Sequence, residues 1–314
     1  MQKSIAIVGA GISGMATAWL LLNKGYRLTV YAKAFSPSIT SNRAAAFWFP
    51  YHIRNDKRGI DWCRDSYRQY QHFSADKNTG ISMRKLVKVL RTGVEEEEPV
   101  WIDFMPEGSY RMLAKGELPE GVARICEATV PLIETQLFLP WLQQQLLKAG
   151  VVFFEKEIKD LEALGSRYDA VVNCSGLGAK QLCGDDALVP VRGQVALLTP
   201  GSLDSIYLDN EASLYVVPRR DAIIVGGTYE EGIADAVTEP ATLHQILDKA
   251  YAALPALKMQ AVKGNWAGIR PYRHTVRVEQ EAATNIIHNY GHGGSGYTLA
   301  FGCAASVAEL VQQL

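Results

Sequence analysis

Two glycine-rich segments and one arginine cluster hold the residues of this chain whose types and spacing could do chemistry. Gly9-Ala10-Gly11-Ile12-Ser13-Gly14 stands near the start, and His288-Asn289-Tyr290-Gly291-His292-Gly293-Gly294-Ser295-Gly296 near the end. Each follows an apolar strand-like run and opens a long helix-like segment. That order brings bare backbone and the positive end of a helix against something flat or anionic. In the first segment Gly9 allows the tight turn, Gly11 lets the backbone approach a pyrophosphate, and Gly14 permits close helix–strand packing. A turn that binds nothing would need the glycines alone; the flanking strand, helix and second strand argue for a dinucleotide. The pattern does not separate FAD from NAD(P). The acid that usually meets the ribose at the end of the second strand is missing, and Tyr31-Ala32-Lys33 stands there instead. A base at that point suits a 2′-phosphate and keeps NADP open.

The arginine cluster is Gly268-Ile269-Arg270-Pro271-Tyr272-Arg273, with Arg277 just beyond. It reads as a solvated strand face or, with Pro271 fixing the backbone after Arg270, as a guanidinium held for a substrate carboxylate. By itself Tyr215 reads more simply as a core aromatic. His288 and His292 are spaced i, i+4 but off a helix and without an obvious third ligand, so no metal site is expected. No Ser-His-Asp or Cys-His arrangement stands out.

The elements that must position these residues follow from periodicity. A strand at 3–8, a helix at about 12–24 and a strand from Arg27 to Tyr31 make a βαβ start. Residues 35–50 suggest a long loop, 59–76 a helix, Arg84 to Arg91 a strand, and Glu95 to Glu98 an exposed acidic loop. Glu134 to Ala149 reads as a helix with Leu137, Phe138, Trp141, Leu142 and Leu146 on one face, ending at a left-handed Gly150. Buried parallel strands are expected at Val151–Phe154 and Ala170–Asn173. Further strands fall at Leu214–Pro218 and Ala222–Gly226, with a helix from Thr242 to Leu254. A strand at 285–288 and a helix from Tyr297 to Leu314 close the chain. The expected fold is α/β: a Rossmann-like nucleotide-binding domain from 1–50, 140–190 and 264–314, interleaved with a mainly β substrate-binding domain from 51–139 and 191–263.

Composition sets the outer bounds. At 314 residues, 48% hydrophobic and 21% charged, with a formal net charge of -1, the chain suits one large or two smaller globular domains. No charge bias points to nucleic acid or an acidic membrane. Five scattered cysteines, odd in number, read as reduced thiols of a cytoplasmic protein. The apolar run from Ile5 to Leu22 has neither a basic leader nor a small-residue cleavage site, and its glycines fit the nucleotide fold better than a membrane or targeting segment. The closing Val311-Gln312-Gln313-Leu314 is not a peroxisomal address.

Together the segments resemble the D-amino-acid oxidase family of FAD-binding enzymes. The matching blocks are Ile7 to Gly11, Ala44 to Tyr51, Val172 to Gly176, Arg192-Gly193-Gln194, Gly226-Gly227-Thr228, Gly268 to Pro271, and His288 to Gly296 followed by Gly302-Cys303-Ala304. They run in family order and cover essentially the whole chain. The last block is far more specific than a glycine fingerprint and moves FAD well ahead of NADP. The resemblance implies that Gly9, Gly11, Ile12, Ser13 and Gly14 receive the pyrophosphate and that Lys33, Thr40, Ser41, Ala46 and Phe47 lie along the cofactor. Ile158, Ser175 and Gly176 would line the adenosine side, and Gly293, Gly294, Gly296, Tyr297 and Thr298 the isoalloxazine, with Arg270 beside it. Substrate would meet Arg270 and Tyr215 through its carboxylate, the Gly294 carbonyl through its amine, and Phe49. No side chain would serve as acid or base: the Cα hydrogen would leave as hydride to flavin N5. The helix after Gly296 would face the charge growing at N1–C2=O. Dioxygen would then yield hydrogen peroxide, and hydrolysis a 2-oxo acid and ammonia.

Departures from the family pattern bear on the substrate. Lys33 replaces a common Asp, and Phe49 a common polar residue. Glu211 stands four before Tyr215 where some members carry a second tyrosine on a lid, and that loop is short here. Tyr229 occupies the place where aspartate-selective members tend to carry Arg. These favour neutral or aromatic D-amino acids, while Arg219 and Arg220 keep an acidic substrate open. A glycine, sarcosine or imino-acid oxidase or dehydrogenase of the same fold, and a silent flavin-binding protein, are the rivals. A homodimer is allowed, and the oligomeric state does not follow from the sequence.

Overall fold

The structure, a computed structural model, describes residues 2–51, 57–91, 100–113 and 122–314. The acidic stretch Glu95 to Glu98 lies outside them. In chain order the first strands are β1 (Ser4–Val8), β2 (Arg27–Ala32), β3 (Ile81–Arg91), β4 (Tyr110–Met112) and β5 (Val122–Ile133). There follow β6 (Val152–Glu155), β7 (Ala170–Asn173), β8 (Val189–Leu198), β9 (Ile206–Asp209) and β10 (Leu214–Pro218). The last are β11 (Ile223–Gly226), β12 (Glu230–Glu231), β13 (Val262–Gln280) and β14 (Ile286–His292). The helices are α1 (Ile12–Asn23), α2 (Lys57–Phe73), α3 (Thr135–Lys148), α4 (Leu161–Gly165), α5 (Ala179–Leu182), α6 (Pro240–Ala253) and α7 (Gly296–Gln313).

Short apolar runs at β1, β7 and β14 bury almost every residue, as strands covered on both faces must. With β2 and β6 they form a parallel block ordered β6-β2-β1-β7-β14. The remaining strands continue the same sheet in the order β4-β5-β3-β9-β10-β11-β8-β13, antiparallel except where β3 meets β9. β13 joins the two parts. Its first half pairs with β8 up to Tyr272, and its second pairs with β14 from Arg277 onward.

The helix after the second glycine loop, α7, is apolar on nearly every side: Tyr297 to Ala304, Val307, Ala308 and Val311 are buried. A helix of that kind belongs inside the protein. Its crossing with α2 is so close that a Cβ on Gly302 would fall 2.2 Å from the Trp62 Cα and 2.3 Å from its carbonyl oxygen. The Ser66 hydroxyl accepts from the amides of Phe301 and Gly302 at 3.1 and 3.0 Å at the same crossing.

Two details differ from the expectation. β6 is at the edge of the sheet and largely exposed, because nothing covers its outer side among the described residues. On α3 the buried stripe is Thr135, Phe138, Leu139, Leu142 and Leu146, while Leu137 is 37% exposed. Leu137 instead caps Gly80, whose left-handed backbone leaves it room. Gly150 takes the left-handed cap with φ 89°. All five cysteines are unpaired. Among the described residues no helix is long and apolar enough to cross a membrane.

The α2–α7 crossing yields a stability prediction. Gly302→Ala places a methyl into backbone and costs about 1–3 kcal/mol or more, read as a lowered midpoint in denaturant. A variant as stable as the parent contradicts the close crossing.

Candidate active site

A cavity of about 860 Å³ runs along the carboxyl ends of the parallel strands and over one face of the antiparallel ones. Its walls include Gly9, Gly11, Ile12, Ser13, Lys33, Thr40, Ser41, Ala46, Phe47, Phe49, Ile158, Ser175 and Gly176. They also include Tyr215, Arg270, Gly293, Gly294, Gly296, Tyr297 and Thr298. Of the residues that the resemblance places at the cofactor or the substrate, Gly14 alone is not on this wall. A Cβ there would lie 1.9 Å from the Gly9 carbonyl oxygen, so it sits behind the turn and lets α1 press on it.

The nucleotide end is bare backbone by necessity. Gly9 has φ 114°, and a Cβ on it would lie 2.3 Å from the Cys174 carbonyl oxygen. A Cβ on Gly11 would point at Ser41 Oγ, 3.1 Å away. The same Ser41 hydroxyl accepts the Ile12 amide at 3.0 Å, tying the start of α1 to the long loop. No side chain caps α7, so its first turn presents backbone donors and dipole to the cavity. Lys33, Lys156 and Lys159 line the far end with Glu157. A glycine cradle, two helix N-termini and an excess of lysine fit an anionic dinucleotide.

Several expected cofactor contacts are also struts. The Tyr297 hydroxyl donates to the Ser41 carbonyl at 3.0 Å, and that of Thr298 to the Phe49 carbonyl at 2.9 Å. The Ser295 hydroxyl donates to the Tyr51 carbonyl, and that of Ser13 to the Asn289 carbonyl at 3.0 Å. The bonds from Ser295, Tyr297 and Thr298 lash residues 41–51 to the start of α7, and the one from Ser13 ties α1 to β14. Ala46 takes a left-handed φ of 56° on the same loop, and its carbonyl accepts the Ile133 amide at 2.8 Å.

At the other end Arg270 lies among aromatics. Its Nη1 donates to the Thr228 carbonyl at 3.0 Å. A Cβ on Gly294 would be 3.3 Å from the Tyr51 ring and 3.5 Å from Arg270 Cδ, so those three meet. Burial raises the phenol pKa of both Tyr215 and Tyr51, and the Arg270 guanidinium partly offsets it. Both hydroxyls therefore stay protonated as donors. Phe47 stands 6.3 Å from the Tyr215 ring and 6.4 Å from that of Phe49, making an apolar wall. The acid on this wall, Asp209, is gripped by Arg91 at 2.6 and 2.9 Å.

Sequence reasoning quoted Tyr51 in a matching block but assigned it no part. Its signal was Pro50, which stiffens the end of a loop already carrying Ser41, Ala46 and Phe47. Arg43 was missed as well; it lines the cavity and covers the Trp266 ring at 5.7 Å. Arg219 and Arg220 do not reach the cavity wall. Arg219 is bound to Asp221, Gln136 and Thr135, and Arg220 pairs with Glu134. The 210–213 connection between β9 and β10 is a tight turn, too short for a lid.

A parallel block with glycine cradles at both chain ends, facing an arginine–tyrosine cluster across one cavity, defines a dinucleotide-dependent oxidoreductase. The family model for FAD dependent oxidoreductases (DAO) matches residues 4–310. A D-amino-acid oxidase of Rubrobacter xylanophilus is 36% identical over 310 residues, covering 97% of this chain and 94% of the relative. One of Dictyostelium discoideum is 30% identical, covering 99% and 92%. The crystal structure of glycine oxidase from Bacillus cereus shares the fold with a TM-score of 0.81 and 19% identity, over 99% of this chain and 95% of that one. The chain belongs to the FAD dependent oxidoreductase family, and its cofactor is FAD.

The two histidines of the glycine loop are engaged structurally. His288 Nε2 meets Glu281 at 3.0 Å and its Nδ1 meets Asn173 at 3.3 Å. Asn289 donates its amide to Thr17 at 3.1 Å, so its carbonyl accepts from His292 Nε2, also at 3.1 Å. Burial pushes the His292 pKa down to about 4. Between about pH 6.5 and 4 the unfolded chain binds a proton at this residue that the folded chain refuses. Stability therefore falls as pH drops through that window, by on the order of 3 kcal/mol. Unfolding midpoints of the parent and His292→Gln across this range should converge toward acid pH; parallel curves would contradict a neutral buried His292.

Proposed function

We propose that this enzyme oxidises neutral or aromatic D-amino acids to 2-oxo acids, ammonia and hydrogen peroxide. One observation carries the reading: Arg270 and Tyr51 meet at Gly294 with Tyr215 close to Arg270, beside an aromatic wall, and no described side chain there is placed as an acid or base. Asp209 is held by Arg91, and His292 donates its Nε2–H to Asn289 while burial lowers its basicity. The names of the relatives at 36% and 30% identity agree. In this reading residues 1–50, 140–190 and 264–314 hold FAD, and 51–139 with 191–263 shape the substrate side.

FAD, when bound, supplies the acceptor for the Cα hydrogen as hydride and passes the electrons to dioxygen. The chain's own part is orientation. Arg270 grips the carboxylate, with the Tyr215 hydroxyl as second donor, and the Gly294 carbonyl accepts from the substrate amine. That leaves the side chain facing Phe47 and Phe49, while Tyr229 at the rim offers no charge to an acidic substrate. The backbone donors and dipole at the start of α7 would stabilise the negative charge that grows on the cofactor during transfer. The released imino acid hydrolyses in water. Employment of Arg219 and Arg220 elsewhere removes the main support for D-aspartate.

The test is a visible spectrum of the purified protein and a peroxide assay against D- and L-amino acids, glycine, sarcosine and proline. Turnover of neutral and aromatic D-amino acids is expected. A colourless protein that FAD cannot reconstitute, or turnover confined to the other substrates, contradicts the proposal. Arg270→Ala should lower kcat/KM by about 3–5 kcal/mol, chiefly through KM, and Tyr215→Phe by about 1–3 kcal/mol. Unchanged kinetics would remove either residue from the carboxylate site.

A further inference from the structure

Arg270 and Tyr215 lie flat across neighbouring strands at places where those strands carry no side chain. A Cβ on Gly193 would fall 2.3 to 2.4 Å from the carbon and terminal nitrogens of the Arg270 guanidinium. A Cβ on Gly226 would fall 2.1 Å from Tyr215 Cζ and 2.3 Å from its hydroxyl oxygen. The register explains both contacts. Gly193 of β8 pairs with Gly268 of β13, two residues before Arg270, so the arginine reaches it diagonally on the same face. Gly226 of β11 pairs directly with Tyr215 of β10.

The flanking residues of β8 alternate to the other side of the strand. Arg192, only 6% exposed, forks to Glu230, Asp235 and Glu239. Gln194 donates to Glu230 at 2.8 Å and accepts the Glu239 amide at 2.7 Å. The Gln194 amide donates to the Thr228 hydroxyl at 3.0 Å, and the Thr228 carbonyl is the one that receives Arg270. The Arg192-Gly193-Gln194 segment is thus a floor on one side and a strap on the other.

We propose that Gly193 and Gly226, with the strap formed by Arg192 and Gln194, are positioning residues that seat Arg270 and Tyr215 in the carboxylate-binding pose before substrate arrives. A long arginine that must order on binding loses rotamer freedom; one already seated has lost it in folding. The inference rests on the carboxylate role given to Arg270 above.

The experiment titrates FAD-loaded protein with benzoate, an unreactive carboxylate, following the flavin spectrum, and measures FAD affinity separately by fluorescence. Gly193→Ala should weaken benzoate about tenfold or more while FAD affinity stays within about twofold. In an Arg270→Ala background the same substitution should cost nothing further, because its effect acts through that side chain. Arg192→Lys, which leaves the floor intact and removes the fork, should weaken benzoate severalfold and keeps the test open should the glycine variant not fold. Parent-like benzoate binding in Gly193→Ala or Arg192→Lys, or equal losses from Gly193→Ala in both backgrounds, overturns the inference. If the parent oxidises D-amino acids while these results fail, the positioning idea alone falls. If the parent binds no benzoate, the carboxylate role of Arg270 falls with it.

Discussion

The pairing of one strand with two partners sets the geometry of the whole molecule. β13 bonds to β8 along its first half and to β14 along its second, and Tyr272 at the junction faces Val189 on one side and His292 on the other. Arg270 therefore sits two residues from the glycine loop that follows β14, with both ends of that span fixed by backbone hydrogen bonds. Neither the arginine nor the loop could shift without breaking the sheet. The distance between Arg270 and the glycine loop is a property of the sheet, not of any side-chain contact.

Bare backbone recurs wherever that framework must come close to something. Gly14 lets α1 rest on the Gly9 turn, Gly302 lets α7 rest on α2, and Gly193 and Gly226 carry the Arg270 and Tyr215 side chains. Hydroxyl groups then close the gaps: Ser295, Tyr297 and Thr298 bind the long loop to α7, and Ser41 binds it to α1, by bonds to backbone. Ser41, Tyr297 and Thr298 also line the cavity, so cavity wall and structural joint are one object. Substituting Tyr297 or Thr298 would disturb the platform and the loop together.

The parallel half of the fold was legible because its signals are local. Apolar runs, glycines at turn positions and a left-handed cap at Gly150 each act within a few residues. The antiparallel half was less so. β13 contains Gly264, Gly268, Pro271 and three arginines, which break the alternation by which strands are read, and its length serves two partners that lie far away in sequence. The order of strand, glycine loop and helix pointed to a flat or anionic ligand, whereas the residues around Arg270 left a solvated strand face and a carboxylate grip both open until the resemblance to a family favoured the second. Tyr51 shows the reverse limit. Its part depends on where Gly294 and Arg270 arrive in space, and Pro50 beside it signals only a stiff loop end. The face of α3 was misjudged for a similar reason, since only the backbone at Gly80 tells Leu137 from Leu139.

In the proposed reaction this chain catalyses by orienting the substrate Cα toward FAD, with no side-chain acid or base. Anaerobic stopped-flow reduction of the FAD-loaded protein by a neutral D-amino acid, with hydrogen or deuterium at Cα, tests this most directly. The account predicts bleaching of the flavin by the D form only, slowed markedly by deuterium. Equal bleaching by the L form, or a rate indifferent to deuterium when bleaching itself is the slow step, would contradict it.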